Sequence, residues 1–286
     1  MSGSTGVVQN IPPVEAERLA ARGDVRLLDV RTPEEYRDLG HIPGATLLPI
    51  DLIAAAPATL PVDDRPLLVY CEHGVRSAAA ARFLARAGFP QVLNMTGGMS
   101  CWTGPRDHAP GDPFGPAGPS SWLVANADLL TPGGRALDLA CGRGRHALLL
   151  AAAGMSVRAV DRDQAAVAYL ADVAARLRLD VRAEVLDLET EPPPELGREA
   201  YDLVLGVHYL HRPLFPALVA ALRSGGVLLY ETFTVDQAPL GHPRNPAFLL
   251  QHGELARLAA PLRVLRERDG LFEGRHVASV AARATS

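Results

Sequence analysis

The sequence predicts two α/β domains in series, each built on a mostly parallel sheet covered by helices. Three observations predict it. A chain of 286 residues is longer than one compact core usually needs. Short apolar runs alternate with helical stretches twice along the chain. Between the two arrays, Thr103 to Ser121 changes composition abruptly, with Pro105, Pro110, Pro113, Pro116 and Pro119 set among Gly104, Gly111, Gly115 and Gly118. Such a segment forms no regular element and reads as a linker, placed at 109–120 between domains over 1–108 and 121–286. Phe114 and Trp122 leave open a loop packed over the second domain instead.

In the first array the strand candidates are Arg26–Val30, Thr46–Pro49, Leu67–Cys71 and Val92–Asn94, each short, apolar and bounded by Gly, Pro or Asp. Helical stretches lie between them at Pro33–Leu39, Leu52–Ala56 and Ser77–Ala87, the last closed by Gly88 with Pro90 forbidding resumption. The second array opens with a helix, Ser121–Leu130. Strand candidates follow at Arg135–Ala140, Ser156–Asp161, Asp180–Leu186, Tyr201–Val207, Gly226–Thr232, Arg263–Glu267 and Val277–Ala282. Asp269-Gly270 marks a hairpin turn joining the last two, so these should form an antiparallel edge to a parallel sheet.

Composition narrows the function. A net charge of -4 gives no reason to expect a nucleic-acid partner, since such proteins show a basic excess. All 28 basic residues are arginine, which codon bias in a GC-rich genome explains. Cys71, Cys101 and Cys141 are too few and too scattered for a disulfide framework or a metal site, and fit a reducing compartment. Met1–Asn10 shows no apolar core of a signal peptide, and no apolar run reaches the ~18 residues that span a bilayer. A cytoplasmic protein with no membrane partner is expected. Oligomeric state is not legible.

Cys71 follows the apolar run Leu67-Leu68-Val69-Tyr70 and precedes Glu72-His73-Gly74-Val75-Arg76-Ser77 and a helix. A cysteine there sits at the carboxyl end of a parallel strand and before a helix N-terminus, where the dipole and free N–H groups favour a thiolate. Gly74 lets the loop curl so that successive N–H groups face an anion, and Arg76 adds a permanent charge. A cysteine persulfide or a bound thiosulfate would suit such a loop.

Over Asn10 to Asp107 the sequence resembles the rhodanese family. The pieces are Leu27-Leu28-Asp29-Val30-Arg31 with Glu34-Glu35-Tyr36, Gly40-His41-Ile42-Pro43-Gly44-Ala45, the Cys71 loop, and Gly97-Gly98 with Trp102. The resemblance implies a sulfurtransferase whose catalytic residues are Cys71 and Arg76, in a loop sized for sulfane sulfur. Asp29 and Arg31 read as braces for that loop, and His41 as a turn residue. Glu72 and His73 either tune entry or are simply exposed. Cys101 reads as a buried small residue, with a resolving thiol as the alternative.

A second glycine-rich turn follows the strand Ala136-Leu137-Asp138-Leu139-Ala140, in Cys141-Gly142-Arg143-Gly144-Arg145. Glycines allow the backbone to turn sharply and lie against a ligand. Asp161 ends the next strand, beside Arg162, where a carboxylate can accept from both hydroxyls of a ribose. Asp187, beside Leu188, follows the third strand, where an adenine amino group could be met. A dinucleotide site is the alternative, though its third glycine is missing.

From Ser121 to Ala282 this arrangement resembles the class I S-adenosylmethionine-dependent methyltransferases, a Rossmann-like seven-stranded fold. More narrowly, Gly142-Arg143-Gly144-Arg145-His146-Ala147, Thr232-Phe233-Thr234, Gly241-His242-Pro243-Arg244-Asn245-Pro246 and Gly253-Glu254-Leu255 resemble the tellurite-resistance methyltransferases. The resemblance implies S-adenosylmethionine as cofactor, without a metal, held by Asp138, Ala140, Gly142, Gly144, Asp161, Arg162, Asp187 and Leu188. The His-Arg pair expected near the final hairpin is absent from Asp269–Gly274. Acceptor-side candidates are His208, Tyr209 and His211, then Tyr230 and Arg244. The expected partners are a small sulfur donor and a small nucleophilic acceptor: a sulfide, thiol, selenite or tellurite. The alternative is methylation of a protein or another small molecule, with the first domain as a binding or sulfur-sensing module.

Overall fold

The computed structural model describes residues 6–61, 64–111 and 118–285. The described residues form two compact units: one takes the residues up to Pro119 together with Asp172–Leu179, the other Ser120–Ala171 and the residues from Asp180 onward. Of the linker assigned at 109–120, residues 112–117, Phe114 among them, lie outside the described residues. Trp122 belongs to the second unit, where its indole N–H donates to the Val280 carbonyl at 3.2 Å.

The first unit holds a five-stranded sheet: β1 (Val7–Ile11), β2 (Arg26–Asp29), β3 (Thr46–Leu47), β4 (Leu67–Tyr70) and β5 (Gln91–Met95), in the order β1-β5-β4-β2-β3. Every pairing is parallel. Central β4 is buried at all four positions, as its unbroken apolar run predicts. Edge strand β1 was not expected, because only Ile11 in it is buried and its pattern has no period to read. Nor was the Pro13–Arg22 helix, which starts on a proline in its first turn and ends on Gly23 in the left-handed region. The helix after Cys71 begins at Val75, two residues earlier than expected, and Gly88 caps it as predicted.

The second unit contains a seven-stranded sheet: β6 (Arg135–Leu139), β7 (Ser156–Asp161), β8 (Val181–Val185), β9 (Tyr201–Val207), β10 (Leu222–Phe233), β11 (Arg263–Phe272) and β12 (Arg275–Arg283). Their order is β11-β12-β10-β9-β6-β7-β8, with β12 antiparallel to both its neighbours. The order reverses at β6, so the loops after β6 and β9 open into the crevice where such sheets bind ligands. The opening helix is shorter than expected: it covers Ser121–Ala125, followed by a tight turn at Ala127–Leu129.

The final hairpin corrects the sequence reading. β11 runs straight through Asp269 and Gly270, which pair with Ala278 and Val277. The turn is Glu273-Gly274, with φ of 51° and 73° between the paired Phe272 and Arg275. Two successive left-handed residues make the tight turn that matches strand twist.

Candidate functional sites

Cys71 is buried at the carboxyl end of β4, and its Sγ accepts from the backbone N–H of Gly74 at 3.1 Å and of Ser77 at 3.4 Å. The Ser77 hydroxyl stands 3.5 Å from the sulfur. Gly74, at φ 84°, turns the loop so that these amides face inward. Burial pushes the thiol up, but hydrogen bonds from the Ser77 hydroxyl and amide and from the His73 and Gly74 amides outweigh it. The net direction is downward, toward thiolate.

The loop is clamped from two sides. Arg31, fully buried, binds Asp29 through Nε and Nη2, the Gly40 carbonyl at 2.7 Å, and Glu72 Oε2 at 2.8 Å. Asp29 and Arg31 therefore brace the loop, and Glu72 is one end of that brace. Arg76 is held bidentately by Glu35 at 2.5 and 2.7 Å, so its charge is shared with a carboxylate that itself belongs to a capping box. His73 is exposed, with Nδ1 3.2 Å from Ser100 Oγ, and Val75 is exposed at the helix start. Below the loop lies Gly98, where an added Cβ would stand 2.3 Å from the Cys71 carbonyl oxygen. His41 is stacked on Tyr36 and hydrogen-bonds its carbonyl, as suits a turn residue. Cys101, expected to be buried, is exposed: the tight turn Gly98–Cys101 turns Met99 inward and leaves Cys101 outside.

In the second unit, Ala140, Gly142 and Gly144 all adopt positive φ, so the turn after β6 is held in a conformation ordinary residues rarely adopt. A Cβ at Gly142 would meet nothing within 4 Å, whereas one at Gly144 would strike Leu170. Asp138 is buried, its Oδ2 without a partner, and burial pushes its carboxyl up to about 7. Asp161 accepts the Gly142 N–H at 2.7 Å and the Asp163 N–H at 2.8 Å, one on each oxygen. A cavity of ≈ 180 Å³ is lined by Ala140, Asp161, Arg162, Asp187, Leu188 and Tyr209, with Leu186 and Glu189. Six residues singled out from sequence thus share one wall. Cys141 is buried, and burial pushes its thiol up, as suits packing.

Among the acceptor-side candidates, His208 has φ 58° and stacks on Phe233 at 4.6 Å. Burial lowers its imidazole to about 4. His211 starts the tight turn Arg212–Leu214 and Arg244 is exposed. Tyr230 is wholly buried against Phe215, its hydroxyl without a partner, and so packs in the core.

Residues 12–104 match the family model for a rhodanese-like domain, and residues 119–255 match that for tellurite resistance protein TehB. A sulfurtransferase of Allochromatium vinosum is 41% identical over 87 residues, 30% of this chain and 79% of that protein. Thiosulfate sulfurtransferase GlpE of Pseudomonas fluorescens is 38% identical over 111 residues, 37% of this chain and 95% of its own. The chain is a rhodanese-like domain fused to a TehB-like methyltransferase domain. The crystal structure of TehB from Haemophilus influenzae shares the fold of the second unit, with a TM-score of 0.50 and 19% identity. That likeness covers 60% of this chain and 65% of the other, just under two thirds of its length.

In the TehB-like domain, sequence reasoning missed a group of charges around His208. Arg145 and Arg275 both act electrostatically on that imidazole. Arg275-His276 follows the true turn directly, an arginine and a histidine at the hairpin in the opposite order to the His-Arg pair expected there. Glu231, buried on β10, accepts from Ser120 Oγ at 2.8 Å, Ser279 Oγ at 2.6 Å and Arg268 at 2.7 Å. His146 Nε2 accepts the Ser120 N–H at 3.1 Å, and burial drives its imidazole well down. In the rhodanese-like domain, Glu35 is legible in the sequence only as part of a pattern and Asn94 only as the end of a strand.

Proposed function

We propose a bifunctional enzyme: sulfur transfer through a Cys71 persulfide, and methyl transfer from S-adenosylmethionine to a small thiol- or chalcogen-type acceptor. The observation that carries the first half is the Cys71 sulfur facing the Gly74 and Ser77 amides. The thiolate attacks the sulfane sulfur of thiosulfate, the S–S bond breaks and sulfite leaves with its electron pair. The same amides that held the thiolate then lie beside the persulfide. A thiol or cyanide takes the outer sulfur and restores the thiolate. Arg31 and Glu35 keep the loop rigid through Glu72 and Arg76, so no reorganisation is needed on attack.

The second half rests on the fit of the cavity beside the β6 turn. Open space over Gly142, the orphan oxygen of Asp138 and the carboxylates of Asp161 and Asp187 suit a cationic amino acid joined to a nucleoside. When bound, S-adenosylmethionine would supply an electrophilic methyl group. Asp161 and Asp187 would hold the ribose and adenine, with Leu188 and Tyr209 excluding water. His208, uncharged at neutral pH, would present an acceptor to a nucleophile's proton. The assigned boundaries, 1–108 and 121–286, would place each reaction in its own domain.

A thiosulfate:cyanide assay tests the first activity, which Cys71→Ser should abolish. Calorimetry tests the second: Asp161→Ala should weaken S-adenosylmethionine binding by about 1–3 kcal/mol, the cost of leaving polar partners unpaired. Unchanged affinity would refute the ribose role. A methyl-transfer screen over sulfide, thiols, selenite and tellurite identifies the acceptor, and activity on none of them would refute the acceptor class.

A further inference from the structure

We propose that Ser77, Asn94 and Asn10 form a reversible hydrogen-bond relay that satisfies the Cys71 sulfur as either thiol or thiolate, with Asn94 a positioning residue. The inference rests on Cys71 being the reacting thiol. Parallel register sets Asn10 of β1 directly opposite Asn94 of β5. Ser77 and Asn94 are both buried, at 0% and 3% exposure, while Asn10 is open to solvent. Ser77 Oγ lies 3.5 Å from Cys71 Sγ and 2.7 Å from Asn94 Oδ1, and Asn94 Nδ2 lies 2.9 Å from Asn10 Oδ1.

Ser77 has one proton to give. With a thiol, every group is served: S–H donates to Ser77, Ser77 to Asn94 Oδ1, and Asn94 Nδ2 to Asn10. A thiolate can only accept, so the Ser77 proton turns to the sulfur. Asn94 Oδ1 would then face a lone pair, with both atoms buried and unable to reach water. A half-turn of the Asn94 amide resolves this without changing its shape. Nδ2 then donates to Ser77 Oγ, and Oδ1 accepts from Asn10, which can turn in the same way at the solvent side. The Gly74 carbonyl, 3.2 Å from Ser77 Oγ, already lies within the loop and offers no such reversal.

Of the charged and titratable groups around the sulfur, Asp29 and Glu72 are held by Arg31. Arg76, paired with Glu35, also faces the Cys71 sulfur as a donor and a positive charge, and being only a donor it cannot accept a proton from Ser77. His73 contacts Ser100, and the exposed Cys101 thiol stands beside Gly97 on the Gly98–Cys101 turn. None of these takes the Ser77 proton.

The test uses Asn10→Asp in the full-length chain, since this exposed edge position leaves the core untouched. A carboxylate at position 10 only accepts, so it holds Asn94 Nδ2 outward and keeps Oδ1 on the Ser77 proton. The rate of Cys71 alkylation by iodoacetamide is followed against pH, with the Cys71 peptide read by mass spectrometry. A wild-type profile with no depressed inflection would count against the thiolate reading of Cys71 itself. The relay is judged only on differences from wild type. Asn10→Asp should slow alkylation at neutral pH about three- to tenfold, the loss of one charge-assisted hydrogen bond shared with the amides. The slowing should persist in 1 M salt, where exposed charges are screened within about 3 Å. Gln9→Glu, the same charge one residue away, should not reproduce it. In a Ser77→Ala background the Asn10→Asp effect should vanish. An unchanged profile, an effect abolished by salt, or one surviving without the Ser77 hydroxyl would each overturn the relay.

Discussion

Arg76 meets both oxygens of Glu35, and that pairing holds the Glu35 carboxyl at about 2 against a reference value of 4.5. A depressed carboxyl contributes stability that is fully present above its unfolded value. It is lost as pH falls from about 4.5 toward about 2. Glu35→Gln should therefore flatten the acid limb of stability for the rhodanese-like domain, seen as urea midpoints that differ less between about pH 5 and about pH 3 than in wild type. His208 argues the opposite charge state. With its imidazole lowered to about 4 by burial, it stays uncharged through neutrality. The methyl-transfer rate should then show no inflection from this group near its ordinary value of 6.5. A rate that falls by half between pH 7 and 6, and is rescued by His208→Gln, would contradict this.

At the scale of elements, two turns decide geometry that helices and strands only support. Gly98 underlies the Cys71 loop so closely that a methyl group would overlap the carbonyl oxygens of Cys71 and Glu72. Gly98→Ala must therefore displace the loop. A displacement near 1 Å costs roughly a hundredfold in rate, so thiosulfate:cyanide turnover should fall by about that factor while thermal stability changes less. The Glu273-Gly274 hairpin sets which residues of β12 face the site. Gly274→Ala keeps a left-handed residue with a Cβ and should cost about 1–2 kcal/mol in urea unfolding of the TehB-like domain. Nothing lies within 4 Å of that position, so the penalty comes from the backbone alone.

At the scale of the whole molecule, the two sites lie in separate cores. The Cys71 loop is seated over a cluster that includes Leu28, Val69 and Leu84, and the second site over one that includes Leu137, Val160 and Leu228. Sites seated over clusters that share no residue imply additive effects. Cys71→Ser should leave methyl transfer within about twofold of wild type, and Asp161→Ala should leave thiosulfate:cyanide turnover equally intact. Steady-state assays of both reactions on each variant check this. A drop in the second activity on losing the first would mean that the fusion couples the two chemistries.

The features legible in sequence were local ones. An apolar run, then Cys71, then Gly74 before a helix, specifies a strand-loop-helix with inward amides whatever lies elsewhere. Asp138 to Gly144, with Asp161 one strand on, specifies the second turn in the same way. What sequence left open depends on pairing between distant segments. β1, Val7–Ile11, carries no alternating apolar period, so only its register with β5 reveals a strand and brings Asn10 to Asn94, 84 residues away. Asp269-Gly270 looked like a turn by composition, yet pairing with β12 carries β11 on to Phe272 and places Arg275-His276 just past the real turn. Ser120 meets Glu231 across 111 residues, which no spacing rule anticipates. Local propensity acts over a few residues and was sufficient to place the nucleophile and the glycine turns. Which side chains brace them was decided only by the tertiary structure, because a buried charge or amide takes whatever partner the register delivers.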